Sequence, residues 1–182
     1  MKVKSVAACL LAAVMLTSCS LLEDLSKPRS PEAVKVPELA ELHAREGVMM
    51  YVSSSNVYMA NYYDDELSGI GYSIDWDGTV TRNVYYSISD PMTSTAVLGN
   101  ADFEKFYRFG EYCRYNDPYK DYSEKVYDGT TYSFHYYYDA NEQPFEIYRG
   151  YCYQVDELQD IEKTLYYLFP EPDSYGPNRQ TG

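Results

Sequence analysis

An α+β domain, with four to six antiparallel strands and two helices packed on one face, is what this sequence predicts, and three observations predict it. Apolar and polar residues alternate through residues 70–88 around the dipeptide Asp77-Gly78, the pattern of a tight hairpin. A similar alternation over residues 132–138 runs through a turn at 139–143 into a further extended segment at 144–153. Finally, Leu158, Ile161, Leu165 and Leu168 recur at spacings of three, four and three, which is one face of a helix. Hairpins without crossover helices imply antiparallel pairing, and helices that follow hairpins cover one face of the sheet.

Residues 19–46 read as a tether. Pro28, Pro31 and Pro37 interrupt them, and no hydrophobic period is sustained. Within that stretch, residues 37–46 (PELAELHARE) form a short helix with Leu39 and Leu42 on one face and Gly47 as its end. Val48, Met50 and Val52 then alternate with Met49, Tyr51 and Ser53 in a first strand, and residues 56–63 make a second with weaker facing. Ile70, Tyr72, Ile74 and Trp76 lead into the turn; Val80, Val84, Tyr86 and Ile88 lead out of it. Residues 100–108 read as a helix with Asn100 as N-cap, Asp102 and Glu104 in the first turn, Phe103, Phe106 and Tyr107 on one face, and Gly110 as stop. Tyr132, Phe134, Tyr136 and Tyr138 share a face of the next strand. The last helix starts at Asp156, with Gln159 placed for a capping box, and Pro170 ends it. The single domain thus spans residues 47–169. The tail, 170–182, carries Pro170, Pro172 and Pro177, has little to pack, and reads as disordered.

Composition narrows the partners. The formal net charge of −13 repels phosphate backbones, so nucleic acid is not an expected partner. There are 23 Tyr against 6 Phe, and Tyr suits half-buried sheet positions and contact surfaces alike, its ring apolar and its hydroxyl polar. Only His43 and His135 are present, which rules out a multi-His metal site within this chain, and no cofactor is implied. Of the four cysteines, Cys113 and Cys152 lie in the domain. In an exported chain they suggest a disulfide, which would close a loop of about 40 residues and contribute on the order of 4 kcal/mol. Two buried free thiols are the alternative.

The N-terminus carries an address. Lys2 and Lys4 precede an apolar run from Val6 to Leu16, the layout of a secretory signal and too short to span a bilayer. Leu16-Thr17-Ser18-Cys19 follows, and it resembles the lipobox of bacterial lipoproteins. The resemblance implies that residues 1–18 are removed, that Cys19 is acylated, and that the chain attaches to membrane through lipid, stably because several acyl chains are present. Ser20 rather than Asp after the Cys implies sorting to the outer membrane. Glu23 and Asp24 sit where some lineages carry a surface-export signal, which leaves periplasmic and outward display both open.

Sequence support for catalysis is thin. Asp75-Trp76-Asp77-Gly78-Thr79 resembles motif I of haloacid-dehalogenase-type phosphatases, which implies Asp75 as nucleophile, Asp77 as acid/base and a bound Mg²⁺. That family needs a parallel sheet with helical crossovers, whereas the residues after Thr79 alternate as a hairpin return. A calcium loop fits no better: Gly78 follows Asp77 too early, and no Glu closes it. Asp64, Asp65 and Glu66 form an acidic run that reads as a solvated loop. A nucleophile elbow, a phosphate-cradling glycine loop and a paired-Cys motif are all missing. The expectation is a protein that is not an enzyme.

What remains is the sheet face away from the helices. With even-numbered hairpin residues inward, Ser73, Thr81, Asn83, Tyr85, His135 and Tyr137 face outward; with Phe145 and Ile147 inward, Tyr148 faces outward too. Tyr85, His135, Tyr137 and Tyr148 are therefore the candidate binding face, suited to a peptide or a sugar. A face that meets only water would carry the same residue types. The expected function is a lipid-anchored outer-membrane lipoprotein whose domain binds an envelope partner, peptide or glycan. The alternatives are a structural or assembly lipoprotein without a ligand and, more remotely, a metal-dependent hydrolase using Asp75 and Asp77.

Overall fold

Alternating side chains put one face of each strand against the core, and the topology follows from that. The computed structural model describes residues 27–55, 67–126, 129–139 and 143–169. The lipobox, the strand expected at 56–63, the acidic run Asp64-Asp65-Glu66 and the tail 170–182 lie outside the described residues. Six strands form one sheet: β1 (Val48–Ser55), β2 (Leu67–Asp75), β3 (Thr79–Tyr86), β4 (Met92–Val97), β5 (Thr131–Tyr136) and β6 (Phe145–Gly150). Their spatial order is β4-β3-β2-β1-β5-β6, and every neighbouring pair is antiparallel. Three helices complete the fold: α1 (Leu39–His43), α2 (Asn100–Asn116) and α3 (Asp156–Leu168). The α+β architecture is the one the sequence predicts.

The even parity holds across the central strands. Val52, Tyr72, Ile74, Val80, Phe134 and Tyr136 are buried in one core with Phe103, Phe106 and Phe109 of α2 and Leu158, Ile161 and Leu165 of α3. Both long helices therefore cover the same face. Each fully buried side chain of this size contributes roughly 1.5–3 kcal/mol relative to exposure. Phe169, just past α3, lies against Tyr72 with ring centroids 6.1 Å apart and stacks under the Arg82 guanidinium at 4.5 Å. Arg82 is an inward-facing charge, and Ser94 Oγ accepts from its Nε at 3.1 Å, so the one cation on the inner side of β3 is bonded and stacked.

Several elements depart from the expected pattern. Helix α2 does not stop at Gly110 but runs on to Asn116, ending at Asp117 in the left-handed conformation (φ 45°), whose N–H bonds Cys113 O at 2.7 Å. Gly110 is there for close approach: a Cβ would sit 2.3 Å from the Tyr136 ring. Gly99, not Asn100, is the N-cap residue of α2. Gln159 makes no capping box; its Nε2 donates to Cys152 Sγ at 3.6 Å, and Val155 occupies the N-cap position of α3. Within the described part of the expected tether, residues 28–46 pack on the domain. Val34 and Leu42 belong to the core, and α2 holds the stretch before α1: Asn116 Nδ2 donates to Pro28 O at 2.9 Å, and Arg108 to Val34 O. Strand β4 carries no apolar alternation in Met92-Thr93-Ser94-Thr95-Ala96-Val97 because it is an edge strand, largely exposed, with only Ala96 packed against the core.

The expected Cys113–Cys152 bridge is not formed: both thiols are free and buried. Burial pushes the Cys152 thiol up to about 11 and raises Cys113 further still, so neither is a ready thiolate. Each is held by its own packing, Cys113 on the inner side of α2 and Cys152 beneath Gln159 at the start of α3.

Candidate functional site

The open face of the sheet is built around Tyr51 of β1. In register, Tyr51 stands opposite Ser73 on β2 and His135 on β5. Its ring leans over Gly71, where a Cβ would meet the Tyr51 hydroxyl at 2.8 Å and the Tyr85 ring at 3.5 Å. Gly71 is the floor that allows two phenols to meet across a strand. The Tyr51 hydroxyl and the Tyr85 ring lie together over Gly71, and burial holds the Tyr51 pKa above the ordinary phenol value, with Tyr85 and Tyr137 adding to the rise. On the other side the Tyr51 and His135 rings lie 6.4 Å apart. A row of polar aromatic groups thus crosses four strands, from Tyr85 on β3 over Gly71 and Tyr51 to His135.

The row continues onto β6. His135 Nε2 lies 3.4 Å from Glu146 Oε2, and Arg149 Nη2 reaches the same carboxylate oxygen at 3.0 Å. Ser133 Oγ is 3.4 Å from His135 Nδ1. Burial is the largest influence on His135 and lowers its pKa, Arg149 pushes the same way, and Glu146 opposes both. The two ring nitrogens thus face different partners, Nδ1 toward Ser133 and Nε2 toward Glu146. Ser133, His135 and Glu146 are residue types of a hydrolytic triad. The aromatic rings and polar groups beside them offer stacking and hydrogen bonding to a ligand.

Of the residues singled out from sequence, Tyr85, His135 and Tyr137 do share the open face. Tyr85 is 38% exposed. Tyr137 is half-buried, its N–H bonded to Met49 O at 2.8 Å. Tyr148 does not belong with them. The β5–β6 register shifts between Phe134 and His135, so that Tyr148 pairs with inward-facing Phe134 while Glu146 pairs with outward-facing His135. The extra residue, Ile147, reverses the parity beyond it. Tyr148 is 5% exposed, packs on Tyr119 and Tyr122 at centroid distances of 6.3 and 5.7 Å, and donates its hydroxyl to Tyr151 O. Tyr51, Gly71 and Glu146 are the site residues the sequence reading missed. Tyr51 carried a usable signal, being of opposite parity to Met50 and Val52.

Asp75 and Asp77 form a turn. Gly78 N–H bonds Asp75 O at 3.0 Å, Thr79 N–H bonds Asp77 Oδ1 at 2.8 Å, and Gly78 takes φ +85° in a three-residue loop. The Thr79 bonds hold the Asp77 pKa low, whereas burial raises that of Asp75. The strands on either side are antiparallel, so the parallel unit implied by the phosphatase resemblance is not what this motif builds. Among the described residues no three His, Cys, Asp or Glu side chains gather to hold a metal ion. No family model matches the chain, and neither curated proteins nor solved structures give a match.

Proposed function

We propose that this chain is an exported lipoprotein, attached to the outer membrane through acylated Cys19, whose domain is a non-catalytic module that binds a glycan on the open face of the sheet. One observation carries the binding half: the continuous row Tyr85–Tyr51–His135, laid across four strands over the floor at Gly71. Fixed rings with hydroxyl and imidazole groups at their margins suit a sugar, which offers an apolar face ringed by hydroxyls. An extended peptide would instead seek backbone partners at an edge. The motif Leu16-Thr17-Ser18-Cys19 after an apolar run supports the address. Two experiments test the reading. Metabolic labelling with a palmitate analogue should mark the wild type and not Cys19→Ala; label retained in Cys19→Ala refutes the anchor. The mature protein, applied to an array of bacterial envelope glycans, should retain a defined subset, and uniform absence of retention refutes the glycan.

A second reading, an assembly lipoprotein, is favoured by β4. This edge strand bears no charge and exposes Met92 and Val97, and such edges accept an added strand from a partner. Array silence combined with co-purification of an envelope protein, lost on Thr95→Pro, would favour it.

A further inference from the structure

At one end of the helical layer, remote from the open face, basic groups gather in a chain of net charge −13. Lys35, Arg45 and Arg114 line a recess of about 410 Å³ together with Tyr107, Tyr115 and Tyr138. That volume lies at the small end of the range for small-molecule sites, about 300–1,000 Å³. The single acid in its wall, Glu111, is buried and already engaged, accepting from Tyr136 Oη and from Arg114 Nη2 at 2.9 Å each. Among the described residues neither Lys35 nor Arg45 has a carboxylate within ion-pair distance. The recess therefore keeps an excess of positive charge.

The arginines are also held in place. Arg45 lies over the Trp76 ring at 4.5 Å, and Arg114 stacks on Tyr115 at 4.4 Å and Tyr138 at 4.1 Å. The ring under Arg45 covers one face of its guanidinium and leaves the N–H edges for hydrogen bonding, the geometry that receives an oxyanion in two parallel bonds, whereas Arg114 spends its Nη2 on Glu111. A neighbouring recess of about 290 Å³ shares Arg45 and Tyr138, has Asp139 in its wall, and adds the acceptor side chain of Glu46. Cations on one side, a phenol ring between and the Glu46 carboxylate on the other form a graded site. It matches a small ring that carries one carboxylate at one end and hydroxyl donors at the other.

The geometry points to a binding site here for an acidic monosaccharide, a uronic acid whose carboxylate meets Arg45 and Lys35 and whose hydroxyls face Glu46. The site does not rest on the open-face reading, because it shares no residue with Tyr51, Tyr85 or His135. Trp76 is the only tryptophan in the chain and lies directly under Arg45, so its fluorescence reports on the recess. Titration of the mature protein with glucuronate should give a saturable change that weakens as salt rises. Glucose, which lacks the carboxylate, should give none, and inorganic phosphate should bind more weakly than glucuronate. Equilibrium dialysis with labelled glucuronate should show affinity falling by about tenfold or more in Arg45→Gln, as for a lost charge-assisted bond, and less in Lys35→Gln. Tyr51→Ala should leave it unchanged. A flat glucuronate titration overturns the site. Phosphate binding as tightly as glucuronate overturns the acid-sugar assignment, as does an Arg45→Gln protein that still folds and binds at wild-type affinity. Should Arg45→Gln not fold, the Lys35→Gln result decides: unchanged affinity there contradicts the proposal.

Discussion

Two hairpins of this sheet, β2–β3 and β5–β6, obey the same chemistry and differ in where the register slips, at the far end of the first and in the middle of the second. In β2–β3 the register runs without a shift from Ile74–Val80 to Gly69–Tyr85, so odd residues stay outward throughout. In β5–β6 a bulge at Ile147 breaks the pairing, and every residue beyond it changes sides. Tyr85 and Tyr148 bear the consequence. Both read as outward by parity, yet one lies on the open face and the other within the Tyr119–Tyr122 cluster. Parity is thus trustworthy up to the first insertion, and a turn of Asp-Gly type secures it better than a long connection does.

The largest test of this contrast is Tyr148→Ala. Removing a buried ring leaves a cavity and an orphaned Tyr151 carbonyl, and should cost about 3–5 kcal/mol in denaturant unfolding. A loss under about 1 kcal/mol would return Tyr148 to the surface and remove the bulge from the account. Gly110→Ala comes next. Its Cβ would overlap the Tyr136 ring of β5, so α2 must shift, at a cost of about 1–3 kcal/mol despite the better helix propensity of Ala. A stabilised Gly110→Ala protein would mean that α2 and β5 do not touch as described. Within the regular hairpin, Asp77→Ala removes the bond to Thr79 N–H and should cost about 1 kcal/mol, read as a lower melting midpoint with the sheet otherwise intact. Glycan retention lost without any change in stability would reopen a chemical role for Asp77.

These examples show which features the sequence could reveal. Alternation around Asp77-Gly78 and the Leu158–Ile161–Leu165 stripe each bury one face, and burying one face is what generates a period. Strand β4 was invisible because both of its faces are largely wet. Gly110 looked like a helix stop because composition cannot separate a glycine needed for φ from one needed for close approach. The docking of residues 28–36 along α2 depends on side-chain bonds to main-chain oxygens, from Arg108 and Asn116, and such bonds leave no periodic trace. At the site, Tyr85, His135 and Tyr137 were legible from parity. Gly71 acquires its role only when a ring from β1 lies across β2, and Glu146 only when the bulge aligns it with His135.

A smaller effect sharpens the open face itself. The folded-state pKa of His135 lies below the ordinary imidazole value, chiefly through burial, so the unfolded chain takes up this proton first. Its contribution is nil well above pH 6.5 and turns destabilising as pH falls through about 6.5 toward the folded value. Unfolding free energies measured from pH 8 to 5 should therefore fall less steeply in His135→Gln than in wild type. Parallel profiles would show that His135 is more solvated than its contacts indicate.

The most direct measurement is on Tyr85→Ala, assayed for stability and for retention on the same envelope-glycan array. At an exposed, regular position the change should shift stability by no more than about 0.5 kcal/mol, while binding falls by about 2 kcal/mol, roughly thirtyfold. Full stability with undiminished retention would contradict the account, because the row across β3, β1 and β5 would then be a solvated face and not a site.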